Sequence, residues 1–345
     1  MRLPRRLRRK LISLLGGTDR AAGSPTDGVP AGAIAVDGAL GMLYPTRDPA
    51  DLHAHAHGLV GDAVFDLHGL RQILSTIDRQ FSPSPMSIRF GPDDIIRHRI
   101  DEGVTLCLDR DDGAVSQPLL NGNYEAHLIP VFRQFCRPGM TVVDVGANVG
   151  LYTMLASVLV GAAGRVVAIE PSSENCRLIL LSVEANQAHN VEVLPLALDR
   201  SRGWSNLSGH FGSNAGLVAE DATSLASGWS EIVPTFALDD LVEGPVHFLK
   251  IDVEGAEGRV VAGAQRLLET WRPVVATELS LEMLPRVSGL SGAEYLAGFE
   301  ALGYRISLLN RETGHPDPPT SASELLGAWK DPLQIEDLLL LPPGG

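Results

Sequence analysis

Thr141-Val-Val-Asp-Val-Gly-Ala-Asn-Val-Gly150 reads as an apolar β-run that closes on an acid and a glycine turn. The same grammar returns at Ile169-Glu-Pro171 and again at Lys250-Ile-Asp-Val-Glu-Gly-Ala-Glu257. In an open parallel α/β sheet, ligands bind outside the carboxyl ends of the strands, where strand order reverses. Three strand ends carrying Asp144, Glu170 and Asp252 therefore describe one pocket, shaped for a nucleoside cofactor.

The text around these ends alternates between strand and helix from about residue 124, the signature of a parallel sheet covered on both faces. A helix over 124–135 leads in. Strands are expected at 141–146, 165–170, 191–198, 246–252 and 273–279, with helices at 149–161, 173–187, 256–270 and 291–302. The final runs, 304–309 and 336–341, flank a Pro-rich loop and suit an antiparallel edge pair. A Gly/Ser-rich excursion over 203–230 interrupts the alternation.

Gly146 lets the first strand turn sharply, and Gly150 removes a side chain where a helix packs or a ligand approaches. The amides that open the following helix favour an anionic group, such as the carboxylate of an amino-acid moiety. The dinucleotide fingerprint needs three glycines as G-x-G-x-x-G. Here Ala147-Asn148 stands between only two, which counts against a nicotinamide-dependent oxidoreductase. Glu170 ends the next strand, where a carboxylate can accept both hydroxyls of a ribose. Pro171 behind it suits the first turn of a helix.

Lys250 interrupts an otherwise apolar central strand. A charge buried there must be paired, and Asp252 and Glu254, two and four residues on, share its side of the strand. One reading is an internal ion pair that tethers the strand end. The other sets Asp252 across the switch point from Asp144, where it can accept a proton from an attacking hydroxyl. Asp252, Glu254 and Glu278 together are also weak candidates for holding Mg²⁺ through oxygen ligands. His53, His55 and His57 alternate as metal ligands would, but in low-complexity sequence. His247 suits a local hydrogen bond. His210, Asn214, Trp204 and Trp229 lie in or beside the excursion, within reach of an acceptor pocket.

Asp144-Val-Gly-Ala-Asn-Val-Gly150, Ile169-Glu-Pro171, Leu249-Lys-Ile-Asp-Val-Glu-Gly-Ala-Glu257 and Thr277-Glu278 fall in the order and at the intervals of the FkbM family. Over about residues 120–342 the chain resembles these S-adenosylmethionine-dependent methyltransferases. The resemblance implies a Rossmann-like, seven-stranded class I methyltransferase sheet and methyl transfer to an oxygen, a hydroxyl before a carboxylate, of a small molecule or glycan. It places Tyr124, Glu125, Asp144, Gly146, Ala147, Asn148, Gly150, Glu170, Pro171 and Asp252 in the cofactor site, with Ala197 and Leu198 flanking the adenine. Tyr124 and Glu125 match a Tyr-Glu pair often found ahead of the glycine turn. The catalytic group implied is Asp252, beside Lys250 and Glu254. A non-catalytic nucleotide-binding module on the same sheet is the bland alternative.

At 345 residues and 44% hydrophobic, the chain can bury a full core. Its net charge of −14 argues against a nucleic-acid partner. The first twenty residues run the other way, with seven basic side chains and one acidic. Leu3, Leu7, Leu11 and Leu14 stand there at helical spacing, suiting either a solvated arm or a basic helix on a membrane surface or partner protein. The organisation expected is a basic arm and linker over 1–50, a mixed lead-in or cap over 51–122, and the catalytic domain over 123–345. No apolar run approaches the roughly 18 residues of a spanning helix. Cys107, Cys136 and Cys176 form no CxxC pair and read as free thiols, so a cytoplasmic location is expected. The residues leave the oligomeric state open.

Overall fold

The computed structural model describes the backbone of residues 34–37 and 42–45, then residues 95–344 except 101–102, 123, 125, 212–213, 218–228 and 332. For 126, 208–211, 214–215 and 229–230 only the backbone is described. Two compact units divide the chain, residues 1–89 and 90–345. In the first, β1 (Ile34–Asp37) and β2 (Met42–Pro45) pair antiparallel, inside the stretch expected to be linker. The amphipathic arm and the His53–His57 tract lie outside the described residues.

The second unit begins with an antiparallel hairpin, β3 (Ile95–Arg99) and β4 (Thr105–Asp109), and a short helix, α1 (Ser116–Leu120). Leu106, Leu108, Val115 and Leu119 are buried in one cluster with Val142 and Met154 of the sheet layer. Where the sequence suggests a separate lead-in up to residue 122, residues 95–120 thus share the core of the sheet domain. The expected helix over 124–135 is a 3₁₀ turn (Ala126–Leu128) followed by α2 (Ile129–Phe135), with Pro130 in its first turn, where a missing N–H does no harm.

A seven-stranded sheet forms the centre. Its parallel strands are β5 (Thr141–Val145), β6 (Arg165–Ile169), β7 (Val191–Leu194), β12 (Phe248–Ile251) and β13 (Val274–Ser280). With β14 (Arg305–Leu308) and β15 (Ile335–Leu341) the order across the sheet is β14-β15-β13-β12-β5-β6-β7. Only β15 runs antiparallel to the rest, and it lies between β13 and β14 instead of at the edge. Chain order runs outward from β5 through β6 to β7 and from β12 to β13, so the carboxyl ends of β5 and β12 form the switch point. Val143, Val145, Leu249 and Ile251 feed one apolar layer, while Val142, Val166 and Phe248 feed the other. That two-sided burial is why these strands read as continuous apolar runs.

Helices α3 (Leu151–Val160) and α4 (Ser173–Asn186) follow β5 and β6. Ser172 accepts from the Asn175 amide, the side-chain capping that starts α4. Phe132 stacks on Tyr152 at 5.0 Å and meets Phe248 at 4.8 Å, tying α2 to α3 and β12. Such ring pairs contribute about 0.5–1.5 kcal/mol each beyond burial. Beyond β13 come α8 (Met283–Ser288) and α9 (Gly292–Ala301), and α10 (Ala322–Ala328) occupies the expected Pro-rich loop.

Three expectations are corrected. The strand expected over 191–198 breaks at Pro195, which has no N–H for the ladder. Its second part, β8 (Ala197–Leu198), pairs parallel with β11 (Trp229–Phe236) in a different sheet. The excursion over 203–230 is not loop: β9 (Gly203–Phe211) and β10 (Asn214–Leu217) join β11 and β8 in that four-stranded sheet. Finally, α5 (Leu238–Leu241) brings Asp239 to the amides of Arg266 and Leu267 at 2.8 and 2.9 Å. That cap splits the helix expected over 256–270 into α6 (Glu257–Ala262) and α7 (Gln265–Trp271).

Candidate active site

A cavity of about 240 Å³ opens at the carboxyl ends of β5, β6 and β12. Gly146, Asn148, Glu170, Pro171, Ala197 and Leu198 line one part of it. Tyr124, Asp252, Glu254 and Glu278 line another, together with Arg311 and Ile335. Leu207 and Leu217 of the β9–β10 hairpin contribute apolar wall. Most of the residues singled out from the sequence therefore meet in one place. Asp144, Ala147, Gly150 and Lys250 stand behind the wall and do not line it. Glu125 lies outside the described residues, as do the side chains of His210, Asn214 and Trp229. Trp204 is 75% exposed on the outer face of β9 and is not part of the lining.

The glycine turn is forced by proximity. Gly146 adopts φ +74°, and a Cβ there would sit 1.7 Å from the Asp252 carbonyl oxygen. The Asp252 amide in turn donates to the Val145 carbonyl at 3.1 Å, so the ends of β5 and β12 clasp each other. Glu170 is buried, and its two oxygens accept from the amides of Asn148 at 2.8 Å and Ser172 at 2.9 Å, with Asn175 at 3.4 Å. Burial pushes its carboxyl up to about 7 against those hydrogen bonds. Oε2, which accepts only from the Asn148 amide, has a second lone pair to offer.

Lys250 bridges the two aspartates at the switch point. Its Nζ lies 2.9 Å from Asp252 Oδ2 and 3.8 Å from Asp144 Oδ1, and 5.3 Å from the centre of the Tyr152 ring. Asp144 is fully buried and takes a 2.6 Å hydrogen bond from Thr153 Oγ1. Burial raises its carboxyl above the usual range, with Lys250 and Thr153 pulling the other way. Asp144 thus acts on the cavity through Lys250 and does not touch it.

After β12 the chain turns through Glu254, in the left-handed region at φ 52°, and Gly255 at φ 94°. Glu257, to which the sequence alone assigns no role, holds this turn. Its Oε1 accepts from the amides of Val253 at 3.2 Å and Gly255 at 3.1 Å. Burial pushes the Glu257 carboxyl up to about 7. Ser288 finishes the turn, donating to the Gly255 carbonyl at 2.6 Å and accepting from the Gly258 amide at 3.1 Å.

Glu278, two residues before the end of β13, has a buried Oε1 with no hydrogen-bond partner. Burial, then the neighbouring charges of Asp252 and Glu254, raise its carboxyl well above the ordinary range. Arg311 enters from the loop after β14, and its guanidinium meets Asp337 at 3.1 Å, Glu336 at 3.8 Å and the Ile335 carbonyl at 3.0 Å. Nothing local in the sequence announces Arg311; the β14–β15 reversal delivers it. On its other side Asp337 pairs with His127 at 2.7 Å. His247 takes the structural role expected, accepting from the Thr141 amide at 3.0 Å.

Asp252, Glu254 and Glu278 share the cavity, but among the described residues no three His, Cys, Asp or Glu side chains gather as a metal site would require. The Mg²⁺ option thus gains no support. The nucleoside fits better. Ile169, Leu196, Leu198 and Val253 give the lining apolar surface, Glu170 Oε2 keeps an unused lone pair, and the 146–148 turn offers backbone for close approach. All three cysteines are free and buried. No helix among the described residues is long and apolar enough to cross a membrane.

The sheet order, the lone antiparallel strand and the acidic strand ends define the class I S-adenosylmethionine-dependent methyltransferase fold. Residues 144–306 match the model of the methyltransferase FkbM domain. A solved FkbM methyltransferase from Methylobacillus flagellatus KT is 17% identical, aligns 61% of this chain with 50% of its own, and gives a TM-score of 0.38. An S-adenosylmethionine-dependent methyltransferase from Aquifex aeolicus is also 17% identical, over 61% of this chain and 87% of its own, with a TM-score of 0.34. Protein-L-isoaspartate O-methyltransferase 1 from Arabidopsis thaliana is 26% identical over 134 residues, 35% of this chain and 58% of that protein. The chain thus spans about half of the solved FkbM protein and under two thirds of the curated relative.

Proposed function

We propose that this protein transfers a methyl group from S-adenosylmethionine to a hydroxyl oxygen of a small molecule or glycan. The observation that carries the reading is the placement of Asp252, inside the cavity at the switch point and ion-paired to Lys250 at 2.9 Å. The Arabidopsis relative is named as an O-methyltransferase, which supports oxygen as the atom modified.

S-adenosylmethionine, when bound, supplies an electrophilic methyl group. Glu170 holds the ribose hydroxyls, the turn from Gly146 to Asn148 meets the amino-acid portion, and Ala197 and Leu198 flank the base. Asp252 holds the acceptor hydroxyl and takes its proton at Oδ1 or Oδ2 as the oxygen is alkylated. Lys250 fixes the rotamer of that carboxylate, and Glu257 fixes the backbone turn beyond it. Leu207 and Leu217 screen the reacting atoms from water. Orientation of this kind can contribute roughly 7–11 kcal/mol, and a positioned base about 10²–10⁴-fold.

Asp252→Asn keeps the shape of the side chain and removes the proton acceptor. Turnover is expected to fall by about 10²–10⁴-fold while affinity for S-adenosylhomocysteine, read by calorimetry, stays at the wild-type value. Loss of that affinity in step with turnover would reassign Asp252 to cofactor binding.

A further inference from the structure

Two neighbours in the first turn of α3 reach the charges at the switch point by different routes. Thr153 Oγ1 donates to Asp144 at 2.6 Å. Tyr152, one residue earlier, turns its ring face to Lys250, with Nζ 5.3 Å from the ring centroid. That ring is held in place. It stacks on Phe132 at 5.0 Å and 16°, and Phe132 packs in turn against Phe248 of β12 at 4.8 Å. Lys250, Tyr152 and Asp144 are all buried. Beyond Asp252 at 2.9 Å, the ammonium thus has Asp144 at 3.8 Å and the negative face of a fixed aromatic ring.

These supports fare differently during methyl transfer. As the acceptor oxygen bonds to the methyl carbon, the C–S bond breaks and sulfur keeps its electron pair. The acceptor O–H bond breaks, and its proton passes to the Asp252 carboxylate. Asp252 is then neutral, and Lys250 loses the nearer of these two counter-ions as the chemistry is done. A buried charge stripped of its partner is strongly disfavoured, so an ammonium held by Asp252 alone would oppose the proton transfer. Asp144 and the Tyr152 ring take no proton in this step.

We propose that Tyr152 is a positioning residue for the reaction: its ring face, together with Asp144, holds the Lys250 ammonium in place while Asp252 is protonated. This rests on the methyltransferase reading above and deepens it with a residue that acts only through Lys250. Tyr152 stands behind the cavity wall, as Lys250 does. A ring face suits the position better than a further carboxylate. It attracts the cation without adding a buried negative charge that would itself need a partner.

The full chain offers a direct reporter, because it has three lysines, Lys10, Lys250 and Lys330. Labelling lysine with carbon-13 at Cε resolves each by NMR, and Lys10→Arg and Lys330→Arg assign the signals. The Lys250 methylene protons should lie upfield, displaced by the ring current of Tyr152. Asp252→Asn copies the shape and charge of the protonated carboxyl, and in that variant the displacement should persist or grow. Tyr152→Phe should keep it and Tyr152→Leu abolish it.

Urea unfolding then measures what the ring contributes. Tyr152→Leu should raise the unfolding equilibrium constant by about 2- to 30-fold more in the Asp252→Asn background than in the wild type, the range of a cation–π contact. Lost packing on Phe132 contributes to both backgrounds and cancels from the comparison, and Tyr152→Phe should restore both values. The proposal is overturned if Asp252→Asn moves Lys250 off the ring, or if Tyr152→Leu costs the same in the two backgrounds. Should the double variant not fold, the position of the Lys250 signal in Asp252→Asn decides alone. Neither readout uses the cofactor. Failure of the wild-type protein to bind S-adenosylhomocysteine would instead sink the methyltransferase reading, and the role of Tyr152 in the reaction with it.

Discussion

At one end of the cavity Glu170 gives its two oxygens to the amides of Asn148 and Ser172; at the other, Glu278 keeps a buried Oε1 with no partner. Both are carboxyls near strand ends pushed upward by burial, yet their surroundings differ. The first is built into the backbone of the glycine turn and shapes it whether or not a ligand is present. The second keeps a buried oxygen that no group of the fold satisfies. Between them Lys250 ties Asp252 of the cavity lining to Asp144 of the scaffold.

The largest effect is expected from cutting that tie. Lys250→Met leaves Asp144 fully buried beside the Thr153 hydroxyl, with no cation to balance it, and frees the Asp252 rotamer. Breaking a buried pair by removing one member costs about 3–5 kcal/mol, so the urea midpoint should drop sharply and turnover should vanish. Adding Asp144→Asn should restore much of the stability and none of the turnover. A Lys250→Met protein as stable as the wild type would show that the two aspartates do not depend on the lysine.

Next in size is the contrast between the two carboxyls themselves. Glu170→Ala strands two backbone amides and removes a charged hydrogen-bonding partner of the ribose. A stability loss of about 1–3 kcal/mol and a 10- to 100-fold weaker affinity for S-adenosylhomocysteine are expected, since bonds to charged groups contribute roughly 1.5–3 kcal/mol. Glu278→Ala, in contrast, removes an unsatisfied atom and should leave thermal stability unchanged or raised. Equal destabilisation by the two changes would erase the distinction between the satisfied and the unsatisfied carboxyl.

How far these roles are readable from sequence depends on where the constraint is written. The glycine turn, Glu170 and the Lys250–Asp252 pair are legible because each breaks an apolar run at a strand end, and a buried charge must be explained by a neighbour. Parallel strands buried on both faces reveal the central sheet in the same way. The β9–β11 sheet is not legible. Ser205 and Leu207 face inward while Trp204 and Asn206 face out, so only one face is apolar and glycines and serines dilute the period. Pro234 inside β11 argues further against a strand, yet β11 tolerates it opposite Trp204. Arg311 and Glu257 depend on contacts the local text cannot hold: one arrives through a chain reversal, the other turns its carboxylate back onto its own loop.

The smallest effect should be the most diagnostic, because stability and binding are expected to move in opposite directions with pH. Glu170 and Glu257 are both pushed up to about 7 by burial, from an ordinary 4.5. Between these values the folded chain retains protons that the unfolded chain releases, so stability is greatest at the acid side of the window and falls as pH rises through 7. The ribose hydroxyls donate to Glu170 and favour its ionised form, so binding of S-adenosylhomocysteine should release a proton and tighten as pH climbs over the same range. Melting temperatures between pH 5 and 8, and calorimetry in buffers of different ionisation enthalpy, measure the two slopes separately. Glu170→Gln should flatten both, whereas Glu257→Gln should flatten only the stability slope. If cofactor affinity instead weakens with rising pH, Glu170 is not the group that meets the ribose.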